Sequence, residues 1–136
     1  MQPRSSSGRP LPLVTPLSQP YFDAARENRL LLQQCPRDGF FFYPREFCPH
    51  CLQDDWQWQE ARKLGEVYSY TVEQTGQEPG LKGMTPFAIA VVDLLDGPRV
   101  IGNLRGEDLE GLAVGAKVVL FFEQVEQASI LFFRPA

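Results

Sequence analysis

Read for apolar and polar positions, the chain changes character twice. After a Pro-, Ser- and Arg-rich opening, Pro20 suits the first position of a helix, where a missing N–H costs nothing. Tyr21, Phe22 and Ala25 then fall on one helical face, while Arg26 and Glu27 fall away from it and Asn28 suits a stop. Leu30, Leu31 and Leu32 read as a short strand running into Cys35. A stretch of turns, cysteines and aromatics follows, with Phe40, Phe41, Phe42 and Tyr43 in succession. That quartet predicts a strand clamped against the helix or a neighbouring barrel. From Gly65 onward the pattern becomes β. Five runs (66–74, 87–95, 99–104, 117–124 and 129–133) are rich in β-branched or aromatic residues and bounded by Gly, Pro or Asp. Asp96-Gly97-Pro98 is a hairpin signal between the second and third runs. The segment 106–112, between the third and fourth, has room for a turn or two of helix. Five strands with a short helical link after the third predict an OB barrel, with a five-stranded sandwich as the competitor.

The expected organisation is a flexible tail over 1–17, a helix plus zinc-ribbon module over 18–60, and an OB-fold domain over 61–136. Overall the chain is mainly β. The tail lacks the apolar core of a secretory signal, and its prolines argue against an amphipathic transit helix. No apolar run approaches the roughly 20 residues of a membrane helix. No membrane partner and a cytoplasmic location are therefore expected. The loop 75–86, with three Gly and two Pro, borders the usual ligand face of an OB barrel and is a candidate gate.

Composition narrows the chemistry. Apolar residues make up 43% and charged residues 22% of the chain, as in ordinary globular proteins. Against 13 basic residues stand 17 acidic ones, a net charge of −4. Proteins built on phosphate contacts usually carry the opposite excess. The competing function class, a single-strand nucleic-acid binder stacking bases on Tyr68, Tyr70, Trp56 and Trp58, is weakened accordingly.

Three cysteines make a poor disulfide framework. Their spacing suggests a metal. Cys35-Pro36-Arg37-Asp38-Gly39 and Cys48-Pro49-His50-Cys51-Leu52 share one layout, with Pro after the first ligand position and a second candidate ligand three along. Such turns bring two side chains to one side with backbone N–H groups aimed at the thiolates. Cys35, Asp38, Cys48 and Cys51 are the candidate zinc ligands. Asp38 is an oxygen donor where a four-cysteine ribbon has its fourth thiolate; it conserves ligand charge but is the harder donor. The alternative is a ribbon without metal that survives on aromatic packing. His50 is expected to face solvent, ranking behind a water molecule as substitute for Asp38. Cys-Pro-His-Cys also matches a thiol-redox motif, but that chemistry needs a βαβ framework for which there is no room here.

The residues at this point resemble a family of small acyl-CoA-associated proteins that pair an N-terminal helix and rubredoxin-like zinc ribbon with a C-terminal OB-fold. The resemblance spans about Pro20 to Ala136. It rests on Arg29-Leu-Leu-Leu-Gln-Gln-Cys35, Pro44-Arg-Glu-Phe-Cys-Pro-His-Cys51, Gly65-Glu-Val-Tyr-Ser-Tyr-Thr71, Asp96-Gly97, Gly102-Asn103-Leu104 and the terminal Phe-Arg-Pro-Ala. It departs from the family at Asp38. The resemblance implies a non-catalytic accessory subunit of a thiolase-like or lipid-transfer-thiolase-type aldolase complex. It further implies acyl-CoA as ligand, a hetero-oligomer with the catalytic subunit and bound Zn2+, while the acidic balance leads us to expect no nucleic-acid partner. The residues themselves agree on one point: no nucleophile–base set and no Gly-rich phosphate loop is recognisable. Tyr21, Phe22, Phe40, Phe41, Phe42 and Tyr43 are candidates for a partner or ligand surface, with the protein's own core as their alternative use.

Overall fold

The computed structural model describes residues 2–76 and 79–136. A helix, α1 (Gln19–Arg26), leads into a small antiparallel sheet of β1 (Leu30–Cys35), β2 (Gly39–Phe41) and β3 (Gln57–Ala61), in the order β2-β1-β3. Then come β4 (Leu64–Glu73), β5 (Phe87–Leu94), β6 (Arg99–Leu104), β7 (Lys117–Val125) and β8 (Ala128–Pro135). These five close into a barrel in the order β4-β5-β6-β8-β7. The parallel β6–β8 contact at Asn103 and Phe132 and the return pairing of β4 with β7 complete the OB-type circuit. Short 3₁₀ segments, Pro79–Met84 and Gly106–Asp108, occupy the links after β4 and β6.

Helix α1 starts with Pro in its first turn and ends before Asn28, whose φ of 56° breaks the helical path. The Asn28 side-chain oxygen then accepts from the Phe122 N–H of β7 at 3.0 Å, so the residue that stops the helix also docks it on the barrel. Along β5 the burial alternates, with Ala88, Ala90, Val92 and Leu94 inward and Ile89 exposed, as a half-buried strand requires. Gly102 on β6 is paired with Ala90. A Cβ at Gly102 would stand 2.9 Å from the Phe133 ring, so small residues there make room for the aromatic filling the barrel.

Ribbon and barrel share a core. Tyr21, Phe22, Leu30 and Leu32 are buried in the same cluster as Val67, Leu120 and Phe133. Asp96 of the β5–β6 turn accepts from the Arg62 backbone N–H at 2.7 Å and from its guanidinium at 2.7 Å, tying the β3–β4 junction to the far hairpin.

Two expectations need correction, and one strand is new. Only Phe40 and Phe41 of the aromatic quartet lie in a strand, β2; Phe42 and Tyr43 have left it. Gln57–Ala61, for which no element is expected, forms β3, because its pairing with β1 supplies order that a short, polar-faced segment does not advertise. Residues 2–17, expected as a flexible tail, include a fully buried Leu11 and an Arg4–Pro10 bridge. The candidate gate forms a 3₁₀ segment over Pro79–Met84, while its residues Gln77 and Glu78 lie outside the described part.

Gly65 sits where β4 meets both β5 and β7, and a Cβ there would be 2.6 Å from the Asp93 carbonyl oxygen. Because that obstacle is backbone, we expect Gly65→Ala to cost about 2 kcal/mol. It should be read as a lowered urea midpoint at unchanged m; an unaltered midpoint would refute the close approach.

Candidate metal centre and aromatic groove

The two predicted turns meet. Ligand atoms of Cys35, Asp38, Cys48 and Cys51 all lie within 4.8 Å of one another. Cys35 and Asp38 flank the β1–β2 turn, where Gly39 takes a φ of 80°. Cys48 and Cys51 sit on the second turn, closed by the Leu52 N–H to the Cys48 carbonyl at 2.9 Å and by a positive φ at Leu52. The Cys35 and Cys51 sulfurs are 3.6 Å apart, and Asp38 Oδ2 lies 3.6 Å from Cys35 Sγ and 3.5 Å from Cys48 Sγ. A tetrahedral ion with bonds of about 2.3 Å to sulfur and 2.0–2.2 Å to oxygen needs edges of roughly 3.8 and 3.5 Å. The donor set fits one ion.

The surroundings act differently on Cys48 and Cys51. Burial pushes the Cys48 thiol up, opposed by backbone N–H groups of Cys51 and His50. Cys51 is held below its ordinary value, first by the Arg37 guanidinium and then by the Gln53 backbone N–H. Burial works against the Asp38 carboxylate, but hydrogen bonds from the three thiols outweigh it and hold its pKa down. Arg37 lies 3.5 Å from Cys51 Sγ and is itself gripped by both Asp55 oxygens, at 2.5 and 3.0 Å. Four anionic ligands around a dication leave net negative charge, and Arg37 offsets part of it. Sequence reading missed Arg37 and Asp55; the signal available was a guanidinium inside the first turn. His50 is exposed and stands outside the four-residue cluster.

The six candidate surface aromatics divide. Tyr21, Phe22 and Phe41 are 3–5% exposed, which makes them core. Phe41 packs with Cys35 and Cys48, and its ring meets Trp56 edge-on at 6.5 Å. Phe40 and Phe42 are half-buried, and Tyr43 is 41% exposed. The rings of Phe42 and Tyr43 lie 5.7 and 6.0 Å from that of Tyr21, whose hydroxyl pKa is raised by burial. Together with Leu11, Ile101 and Ile130 they line an open groove of about 240 Å³ between helix, ribbon and barrel. Of the base-stacking candidates, Tyr68 carries the Arg99 guanidinium 3.6 Å above its ring, and Trp56 packs edge-on against Trp58.

A thiolate-rich knuckle pair joined through a common core to a closed five-strand barrel defines a two-module protein, a rubredoxin-like ribbon followed by an OB-fold. Family models match both modules: the ChsH2 rubredoxin-like zinc ribbon domain over residues 22–57 and the ChsH2 C-terminal OB-fold domain over 58–123. The chain belongs to the ChsH2 family. It is 34% identical over 130 residues to a probable enoyl-CoA hydratase alpha subunit of Thermomonospora curvata, matching 94% of this chain but only 40% of that protein's length. It is 32% identical over 74 residues to the benzoylsuccinyl-CoA thiolase subunit BbsA of Geobacter metallireducens, covering 54% of this chain and 49% of that one. Among solved structures, a chain of the Ltp2-ChsH2(DUF35) aldolase superposes with a TM-score of 0.77 at 32% identity, over 91% of this chain and 98% of that one.

We expect close to one metal ion per chain on elemental analysis of protein purified without chelator, lost on Cys48→Ser and held more tightly on Asp38→Cys; metal-free protein would refute the cage. Arg37→Ala should speed metal transfer to a chromogenic chelator about tenfold, and an unchanged transfer rate would remove Arg37 from the site's support.

Proposed function

We propose that this chain is a non-catalytic accessory subunit of a thiolase-like or lipid-transfer-thiolase-type aldolase complex, supporting the catalytic partner and acyl-CoA binding. The observation that carries the reading is the match, over nearly the whole length of both chains, to a chain of the Ltp2-ChsH2(DUF35) aldolase. The thioester named in the thiolase relative supports the substrate class. The ion in the Cys3Asp cage is zinc: the ligand edges suit its bond lengths, and it needs no open coordination position in a structural site. The metal then staples a ribbon too small to hold itself by apolar burial, so its affinity is folding free energy.

The reacting groups come from the partner. This chain brings one exposed His, outside the metal cluster, and three thiols committed to the cage. Free thiols in such a cage suit a reducing compartment, and we assign the complex to the cytoplasm. Among the described residues no helix is long and apolar enough to cross a membrane. The groove edged by Phe42, Tyr43 and Ile101 is the surface we assign to the catalytic subunit. Its rings are held from beneath by Tyr21, so little side-chain entropy remains to be lost on docking. The nucleic-acid alternative has the acidic balance against it.

A pull-down of the tagged chain from its native host, read by mass spectrometry, should recover a thiolase-fold or aldolase subunit, and Tyr43→Glu should reduce that recovery at least tenfold. Recovery of no such subunit, or thioester turnover by the purified chain alone, would sink the reading. Tight, salt-sensitive binding to a single-stranded oligonucleotide would favour the alternative.

A further inference from the structure

The opening segment is folded on itself. The Ser5 N–H donates to the Arg9 carbonyl at 2.8 Å, Gly8 N–H to the Ser5 carbonyl at 2.9 Å, and Leu11 N–H to the Pro3 carbonyl at 2.9 Å. The Ser5 hydroxyl accepts from the Arg9 N–H at 3.0 Å, and the Arg4 guanidinium donates to the Gly8 carbonyl at 2.9 Å. Gly8, with a φ of 85°, supplies the reversal. Residues 3–11 are therefore a pre-shaped hairpin, small enough that contacts elsewhere must hold it.

Those contacts are on the barrel, and each differs in kind. The Ser6 N–H donates at 2.9 Å to the carboxylate of Glu126, which stands in the β7–β8 turn with a φ of 58°. The Arg9 guanidinium lies 5.7 Å from the centre of the Phe132 ring, on the outer side of β8, and Arg105 lies 4.9 Å from the same ring while paired to Glu123. Phe132 is only 1% exposed although its neighbour Phe133, and not Phe132, belongs to the barrel core, so it is covered from outside. Gly80, in the 3₁₀ segment after β4, runs so close to Gly8 and Arg9 that a side chain there would strike their backbone. Leu11 is 1% exposed at the far end of the hairpin. The loop after the first barrel strand and the turn between the last two are the pair that borders the ligand face of an OB barrel. The hairpin touches both.

We infer that residues 3–11 act as a tethered ligand of the barrel, and that the face they cover is a docking site for an arginine-bearing peptide loop. The recognition chemistry is what the hairpin already uses: Glu126 takes a backbone N–H, the Phe132 ring takes a guanidinium, and Glu123 supplies the countercharge. Tethering sets the hairpin's effective concentration in the millimolar range, so a free peptide at micromolar concentration cannot displace it. The face opens to a partner of this chemistry only when the hairpin leaves. This inference is independent of the accessory-subunit reading.

The test uses the full chain. Amide hydrogen exchange should find Ser5, Gly8 and Leu11 protected at least tenfold over unfolded rates, and unprotected amides at all three would overturn the inference. Gly80→Val should expel the hairpin by collision with its backbone and abolish that protection while barrel amides stay protected. A fluorescent peptide of residues 2–14 should then bind Gly80→Val saturably and the unaltered chain not at all. Arg9→Ala in the peptide should weaken binding about threefold, as loss of a guanidinium–ring contact does, and Glu126→Gln in the chain about tenfold. Retained protection in Gly80→Val sends the test to a chain lacking residues 2–14, with barrel exchange confirming its fold. Failure of the peptide to bind a folded, hairpin-free barrel, or equal binding to the unaltered chain, would overturn the inference.

Discussion

Burial of Tyr21, Phe22, Leu30 and Leu32 against the inside of the barrel is the contact on which the rest of the molecule depends. Each large apolar side chain removed from water is worth about 1.5–3 kcal/mol, and a ribbon of this size cannot gain that within itself. The same strand that buries Leu30 and Leu32 ends at Cys35, so the register fixed by apolar packing at one end delivers the first sulfur to the cage at the other. Ribbon and barrel are thus mechanically one body although each has its own pattern.

The cage closes the loop that packing leaves open. Cys35, Phe41 and Cys48 form a second buried cluster, separate from the shared core and too small to stand alone. Gln33 strengthens the connection: its buried amide donates to the Arg45 carbonyl at 2.6 Å and accepts from the Arg45 N–H at 2.9 Å, holding the chain between the two turns. Asp38 in the place of a thiolate keeps the charge of the cage and shortens the three edges that meet at its oxygen. The guanidinium of Arg37, braced by Asp55, sits where one more anion would be costly. A ribbon arranged in this way presents the aromatic edge at Phe42 and Tyr43 beside the shared core.

The chain's first residues also cover part of the barrel, from the loop after β4 and the β7–β8 turn to the groove beside Tyr43, which Leu11 helps to line. OB barrels commonly leave the face between the two loops bare; here the Ser6 N–H meets Glu126 and the Arg9 guanidinium meets Phe132. Exposed apolar side chains stand at Tyr43 and Ile101 beside the groove, at Ile89 on β5, and at Leu64 and Leu95 along a second cleft of about 520 Å³.

Much of this was legible from residues alone, because the signals are local. Alternation of burial along 87–94, the Asp-Gly-Pro turn, Pro at the start of α1 and the matched cysteine turns each depend on a few neighbouring side chains and a fixed geometric period. What the tertiary structure decided depends on partners distant in sequence. Strand β3 exists because β1 offers it an edge. Tyr21 became core by packing into the cluster shared with the barrel and Phe41 by packing on Cys35 and Cys48, while Tyr43 stayed at the surface. Arg37 became part of the cage through Asp55, and the hairpin of residues 3–11 has no periodic pattern at all, being ordered by Gly80, Glu126 and Phe132. Sequence carries periods and turns; only the folded chain carries the contacts that choose among their uses.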